Sequence, residues 1–378
     1  MRMQKDVKIF FSLIMLISII QGCQKSIKSP AGLPYQESER VYADSLDKLD
    51  SLVSDTRLND SAKSINFARQ ALSLAQQRGI PFFLAKANIM MGTAYFNQKT
   101  DSSFIYFNRA LKIADKYNLN QLKPTIFLGL SDIYQSAFDY QTSIVLLDSA
   151  IRLAYVTKDY ENLSTAYNNL GNIKYDLHDF SHAKQMYDSA YNIASRFYLN
   201  KQMGVALGSL SHFEKDVSKA VRVSKQAVEL LKKSPGTEEA VARIWINIGI
   251  WFEDPDSAIK YYNTAIKTVT YGTSPEVIMI AYNNLVYSYI DKREYSKAEL
   301  CLTQHAIPLA EKLMNNDWLA TLYDSYNDLL MSEGKSKPAA IAEKKAYKYR
   351  EMAYDFKVTG QVRLLAALLD VKNKEIKL

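Results

Sequence analysis

Few residues in this 378-residue chain have the type and spacing to do covalent chemistry, and two of them are its only cysteines, Cys23 and Cys301. Cys301 stands between Leu300 and Leu302 in an apolar helical frame, which predicts a buried, inert thiol rather than a nucleophile. Cys23 directly follows a small residue, Gly22, at the end of an apolar run from Ile9 to Ile20 that Arg2, Lys5 and Lys8 precede. That order is the layout of a secretory signal peptide, and the run is too short for a comfortable membrane span. His178 and His182 are four apart, but the helix over 164–177 is expected to end between them, and no further ligands are spaced to complete a zinc or copper site. Gly334-Lys335-Ser336 has the residues that end a phosphate-binding loop, yet Leu329 occupies the place of the partner glycine and no strand precedes it, so a turn is predicted. His212 and His305 are isolated, and no Ser, His and acid grouping has a recognisable frame. Neither an enzyme, a cofactor nor a metal is expected.

Non-covalent recognition has more candidates. Asn168, Asn169, Asn172 and Tyr175, then Asn247, then Asn283, Asn284 and Tyr287 place amides and phenols at corresponding points of separate helices. A side-chain amide both donates and accepts, so a ladder of them grips an extended peptide backbone with little regard for its sequence. The same residues would equally serve by bonding neighbouring helices or water.

The helices that carry them recur. An alanine returns about every 40 residues at Ala71, Ala110, Ala150, Ala190, Ala227, Ala265 and Ala306. Its surroundings repeat as well: DSSFIYFNRALKIA (101–114) lies directly over DSAIKYYNTAIKTV (256–269), and DYQTSIVLLDSAIRLA (139–154) over DFSHAKQMYDSAYNIA (179–194). Each copy starts near an Asp, Ser or Asn suited to capping a helix, then continues with apolar or small residues at three- and four-residue steps. A second amphipathic segment precedes most copies, with Gly92, Gly171, Gly208 and Gly249 in the middle of it. A mid-helix glycine costs about 1 kcal/mol relative to alanine, so its return predicts close packing. The expected partners at the crossing are the recurring small residues Ser103, Ala183, Ala220 and Ala258.

These segments resemble tetratricopeptide repeats, whose first helix carries Leu-Gly and Tyr and whose second carries Ala, an aromatic and Ala. Residues 164–194 match best, through Tyr167, Leu170, Gly171, Phe180, Ala183, Tyr187 and Ala190. The resemblance covers 41–356 and implies an all-α solenoid of about eight helix pairs, with first helices lining a concave face where the amide ladder would lie. The period is nearer 40 than the usual ~34, so longer helices or turns are expected. Glu253-Asp254-Pro255-Asp256 shortens one turn, and the end pairs are degenerate, as solvent-facing caps are.

Ile20-Gln21-Gly22-Cys23 is similar to a bacterial lipobox, which implies cleavage of residues 1–22 and lipid anchoring through the Cys23 thiol. An ordinary cleaved signal or an uncleaved anchor is the alternative. No aspartate follows the cysteine, and the short basic tether lacks an acidic run. Both features resemble lipoproteins of the outer membrane that face the periplasm. Residues 23–40, with Pro30, Gly32 and Pro34, read as a flexible tether.

The formal charge of +7 is unevenly spread, because 333–378 holds eleven Lys or Arg against six acids while the repeat body is balanced. A nucleic-acid binder would carry its cations along the groove, so that class is excluded. In the basic C-terminal helix, 357–378, Val358, Val362, Leu365, Leu369, Lys372 and Ile376 step by four and three. That seam fits a helix capping the last repeat, and it also resembles the basic helix that ends extracytoplasmic tetratricopeptide sensor regions of bacterial regulators; the latter implies a receptor part without an output. Two functions are therefore expected. One is a lipid-anchored, non-catalytic scaffold holding a protein or peptide partner in its groove. The other is a receptor or sensor component for a small molecule or glycan fragment.

Overall fold

A computed structural model describes residues 37–57, 60–96, 100–269 and 275–376. Residues 1–22, read above as a signal segment, Cys23, and the expected tether as far as residue 36 lie outside the described residues, whereas 37–40, read above as tether, already belong to a helix. Contacts separate residues 1–48 from 49–378. Of the first unit only 37–48 are described, as helix; the repeats belong to the second unit.

The helices in chain order are α1 (Glu37–Thr56), α2 (Ser61–Arg78), α3 (Pro81–Tyr95), α4 (Thr100–Lys116), α5 (Lys123–Ser136), α6 (Tyr140–Thr157), α7 (Tyr160–Asp176) and α8 (Phe180–Arg196). They continue as α9 (Asn200–Leu210), α10 (Val217–Leu231), α11 (Glu238–Ile250), α12 (Pro255–Thr268), α13 (Pro275–Asp291), α14 (Tyr295–Leu300), α15 (Ile307–Lys312), α16 (Asn316–Ser332) and α17 (Ser336–Ile376). No strand occurs among the described residues. A π-helical turn, Cys301–Ala306, joins α14 to α15. Pro308 accounts for it, since proline offers no N–H to the carbonyl four residues back and its ring crowds that carbonyl. Consecutive helices pack as pairs and pairs stack on pairs, an all-α solenoid of the tetratricopeptide kind.

The turns explain the long period. Asn118, Phe138, Lys158, His178 and Tyr198 all adopt positive φ, between 53 and 61°, at twenty-residue intervals. Each ends its helix with a Schellman bond: the next residue's N–H donates to a carbonyl five residues back, as in Asp139 to Tyr134 (2.9 Å), Asp159 to Ala154 (2.9 Å) and Asp179 to Lys174 (2.8 Å). In those three turns the same aspartate caps the following helix, its side chain accepting from the N–H of Thr142, Asn162 and His182. Two residues thus close one helix and open the next, and helices of 17 or 18 residues plus these turns make the 40-residue repeat. The His178 and His182 pair lies across such a turn, where the His182 Nδ1 stands 2.7 Å from Asp179 Oδ1.

All seven recurring alanines are wholly buried. The small residue seven positions earlier sits beside the partner helix, where Ser64, Ser103 and Ser143 donate to the backbone carbonyls of Val53, Gly92 and Ser131 at 3.1, 2.7 and 3.0 Å. Ser103 meets Gly92 at the crossing, as expected, and the space of the missing Cβ faces the ring one turn further on: a Cβ on Gly92 would fall 2.8 Å from Phe107 and one on Gly171 2.6 Å from Tyr187, while Gly249 faces Tyr262 in the same way and Gly208 meets Ile244. The reason is room: the alanine or serine side already fits under the backbone, whereas a flat ring needs the missing Cβ. Phe107 is held on both faces, by Gly92 of its own pair and by Gly129 of the next. The eighth pair is α16 with the first half of α17, whose Ala339, Ala342, Ala346 and Ala353 are buried; the helix runs unbroken past residue 356 and also contacts α4.

Gly129→Ala is expected to lower stability by about 1–3 kcal/mol, since Phe107 has no free side to move toward. Thermal melting should show partial recovery in the Gly129→Ala, Phe107→Leu double variant; additive losses would refute the sandwich.

Candidate functional site

First helices of successive pairs contact one another, α5 to α7, α7 to α9, α11 to α13 and α13 to α16. Along this face runs a ladder of side-chain bonds that link one pair to the next. Asn169 Nδ2 donates to Asp132 Oδ1 (3.1 Å), and Ser209 Oγ donates to Asn168 Oδ1 (3.3 Å). Asn247 Nδ2 lies 3.1 Å from His212 Nε2, Ser325 Oγ donates to Asn283 Oδ1 (2.7 Å), and Tyr287 OH donates to Asp328 Oδ2 (3.0 Å). Asn172 instead works within its pair, accepting from Tyr187 OH at 2.8 Å. Asn284 makes no described side-chain hydrogen bond.

Most amides selected from the sequence therefore hold the array together, and each does so with only part of its capacity. Asn172 and Asn283 use their carbonyl oxygens, and Asn247 uses its NH2 group. An amide has two donors and an acceptor that takes two bonds, so N–H groups on the first two and the oxygen on the third remain for a ligand. The sequence reading missed the partners Asp132, Ser209, His212, Ser325 and Asp328. A signal existed, because the bonded residues stand 35 to 42 positions apart, one repeat period.

Three of the predicted residues, Asn172, Tyr175 and Asn247, converge on a cavity of 320 Å³ between α7, α9 and α11. Val205, Gly208, Leu231, Ala240 and Ile244 give it an aliphatic part, and Tyr187, Ser209, His212 and Arg243 complete the lining. Helix α9 makes room for it by ending at Leu210, six residues shorter than α7, and passing into a 3-10 turn, Ser211–Phe213. The fifth pair also lacks the usual ring. Ser224 stands where Tyr187 and Tyr262 stand in neighbouring pairs, and Gly208 meets Ile244 instead. Ser224 Oγ is fully buried with no hydrogen-bond partner. Tyr175 is 40 % exposed at the edge of the cavity, its ring 5.1 Å from Phe180, 6.1 Å from Phe213 and 6.3 Å from His212.

The charges around the cavity are settled internally. Arg243 is bonded through Nε and Nη2 to Glu239 and through Nη2 to Glu276. Burial holds His212 below its ordinary pKa, so its neutral ring accepts from Asn247 at Nε2 and carries its proton on Nδ1. Burial pushes the Asp132 carboxyl up to about 6, with the Arg57 guanidinium partly opposing. The Cys301 thiol, also buried, is raised to about 11, as an inert core cysteine requires. Among the described residues no cluster of three metal-ligating side chains occurs, and no helix is long and apolar enough to cross a membrane.

The tetratricopeptide repeat family model matches residues 122–196, which spans α6, α7 and α8 and all of α5. No curated protein sequence matches the chain. Among solved structures, a Rap protein complexed with competence and sporulation factor superposes with a TM-score of 0.56 at 13 % identity, covering 88 % of this chain and 99 % of that one. The apo quorum sensor NprR from B. thuringiensis gives 0.55 at 13 % identity, over 90 % and 93 % of the two chains. A signal transduction ATPase with a tetratricopeptide repeat sensor, from Pyrococcus horikoshii, gives 0.54 at 15 % identity over 89 % of this chain and 53 % of that one. At such identities the likeness concerns the fold.

Two pH effects of opposite sign are expected. The folded His212 titrates below the ordinary 6.5, so the stability it contributes is complete above that value and falls as the pH drops through it. Thermal melts of His212→Gln should decline less than wild type on acidification; parallel curves would refute the buried neutral ring. Asp132 titrates at about 6 against an unfolded 3.8, so it costs stability as the pH rises between those values. Asp132→Asn should melt higher than wild type at pH 7 and lose that advantage near pH 4; equal melting temperatures at pH 7 would refute the raised pKa.

Proposed function

We propose that the protein is a non-catalytic scaffold that binds a protein or peptide partner along the first-helix face of its repeats. The observation that carries this reading is the ladder itself: amides at Asn172, Asn247 and Asn283 are each held in place by one bond and keep further donors or acceptors for a partner. A preset row of such groups suits an extended backbone, which offers N–H and C=O alternately. The similar Rap protein was solved in complex with competence and sporulation factor, which supports a bound partner on a fold of this kind.

The scaffold is placed, in this proposal, at a bacterial cell envelope, anchored in the outer membrane by lipid on Cys23 and facing the periplasm. The residues that support this are the basic and apolar leader, Gly22-Cys23, and the absence of aspartate at position 24. A second reading, a receptor for a small molecule or glycan fragment, draws on the cavity of 320 Å³, which is at the lower end of the ~300–1,000 Å³ typical of ligand pockets.

Affinity capture of the anchored protein from its native envelope is expected to bring a stoichiometric protein or peptide partner that is lost when Asn172, Asn247 and Asn283 are all replaced by alanine. Capture of none, together with a saturable sugar- or metabolite-dependent rise in melting temperature, would replace the scaffold by the receptor. Cys23→Ser is expected to move the protein from the membrane to the soluble fraction, and retention in the membrane would refute the lipid anchor.

A further inference from the structure

We infer that the cavity between α7, α9 and α11 is an anchor pocket for a bulky, uncharged, preferably aromatic side chain of the bound peptide. This rests on the peptide-binding reading above and adds what the peptide must contain. Three independent features point the same way. The aliphatic lining residues Val205, Gly208, Leu231, Ala240 and Ile244 contribute no polar side-chain atom, so a hydroxyl-rich sugar ring laid on them would lose its water without replacement. The charges at the rim are already neutralised, Arg243 by Glu239 and Glu276 and His212 by its unprotonated state, so neither an anionic nor a cationic side chain finds an opposite charge. The lining, finally, already carries two aromatic rings, Tyr175 and Tyr187, against which a further ring packs.

The surrounding polar groups fit the backbone on either side of such an anchor. The free N–H groups of Asn172 and the free oxygen of Asn247 border the same opening, a donor and an acceptor for one peptide unit. The exposed Tyr175 ring, braced by Phe180 and Phe213, offers its face or edge to the incoming ring. A side chain buried in a preformed apolar pocket at the centre of an interface is the usual site of concentrated binding energy.

The full chain is tested by saturation-transfer NMR with four small compounds: N-acetyl-tryptophanamide, N-acetyl-alaninamide, N-acetyl-lysinamide and N-acetylglucosamine. The tryptophan compound is expected to bind at least about tenfold more tightly than the other three. Ala240→Leu, which fills the cavity from the half-buried start of α11, should abolish that preference while the melting temperature stays near wild type. Ser209→Leu, filling it from α9, provides the same readout if Ala240→Leu fails to fold. Equal binding of all four compounds, tighter binding of the sugar or the lysine compound, or tryptophan binding unchanged in both filled variants would each overturn the anchor pocket. The peptide-binding reading is judged separately: a partner still captured by the filled variants leaves that reading standing and removes only the anchor.

Discussion

A ring laid against a backbone without a side chain is the contact on which this array depends. Phe107 on Gly92, Tyr187 on Gly171 and Tyr262 on Gly249 bring the first and second helices of a pair closer than any Cβ permits, and Phe107 on Gly129 does the same between pairs. In these pairs Ala110, Ala190 and Ala265 vanish completely from solvent, and Ser103 reaches the backbone carbonyl of Gly92 on the facing helix. The third pair shows the alternative, with Leu147 in place of the ring and Ser131 at the glycine position, bonded directly to Ser143. Ring with glycine and leucine with serine are two solutions to one volume constraint.

The fifth pair departs from both. It keeps Gly208 but offers Ser224, its helix α9 ends early, and a cavity opens on the face where neighbouring first helices are tied by polar bonds. The ladder around it has a double character, since each amide spends part of its hydrogen-bonding capacity on rigidity and retains part at the surface. A partner held by such groups meets side chains that are already ordered, which reduces the entropy lost on binding.

Much of the architecture was legible in the chain. The 40-residue return of alanine marked the repeats, and the aspartates ahead of the second helices proved to be caps, as at Asp139, Asp179, Asp216 and Asp254. The crossing of Gly92 with Ser103 was legible, but the ring that takes the space of the missing Cβ was not, because the spacing between two helices leaves open which turn of the second helix faces the glycine. The amides were found, and of the two roles they offered, the bonding of neighbouring helices is the one seen for Asn168, Asn169, Asn247 and Asn283; their partners were not found. His212, dismissed as isolated, bonds Asn247 across one repeat period, a relation visible only to a search for polar residues that recur out of phase with the alanines.

The sequence by itself determined what depends on local chemistry and period: helices, their caps and their number per repeat. The tertiary structure alone decided what depends on distance between helices. It placed Asn172, Tyr175 and Asn247 around one opening, left Asn168 and Asn283 as ties between pairs, and set the depth of the cavity. The physical reason is that periodicity specifies which side of a helix is apolar, whereas the gap between two helices is set by the sum of the side chains that meet there, and a single missing ring among many contacts changes that sum without changing the pattern.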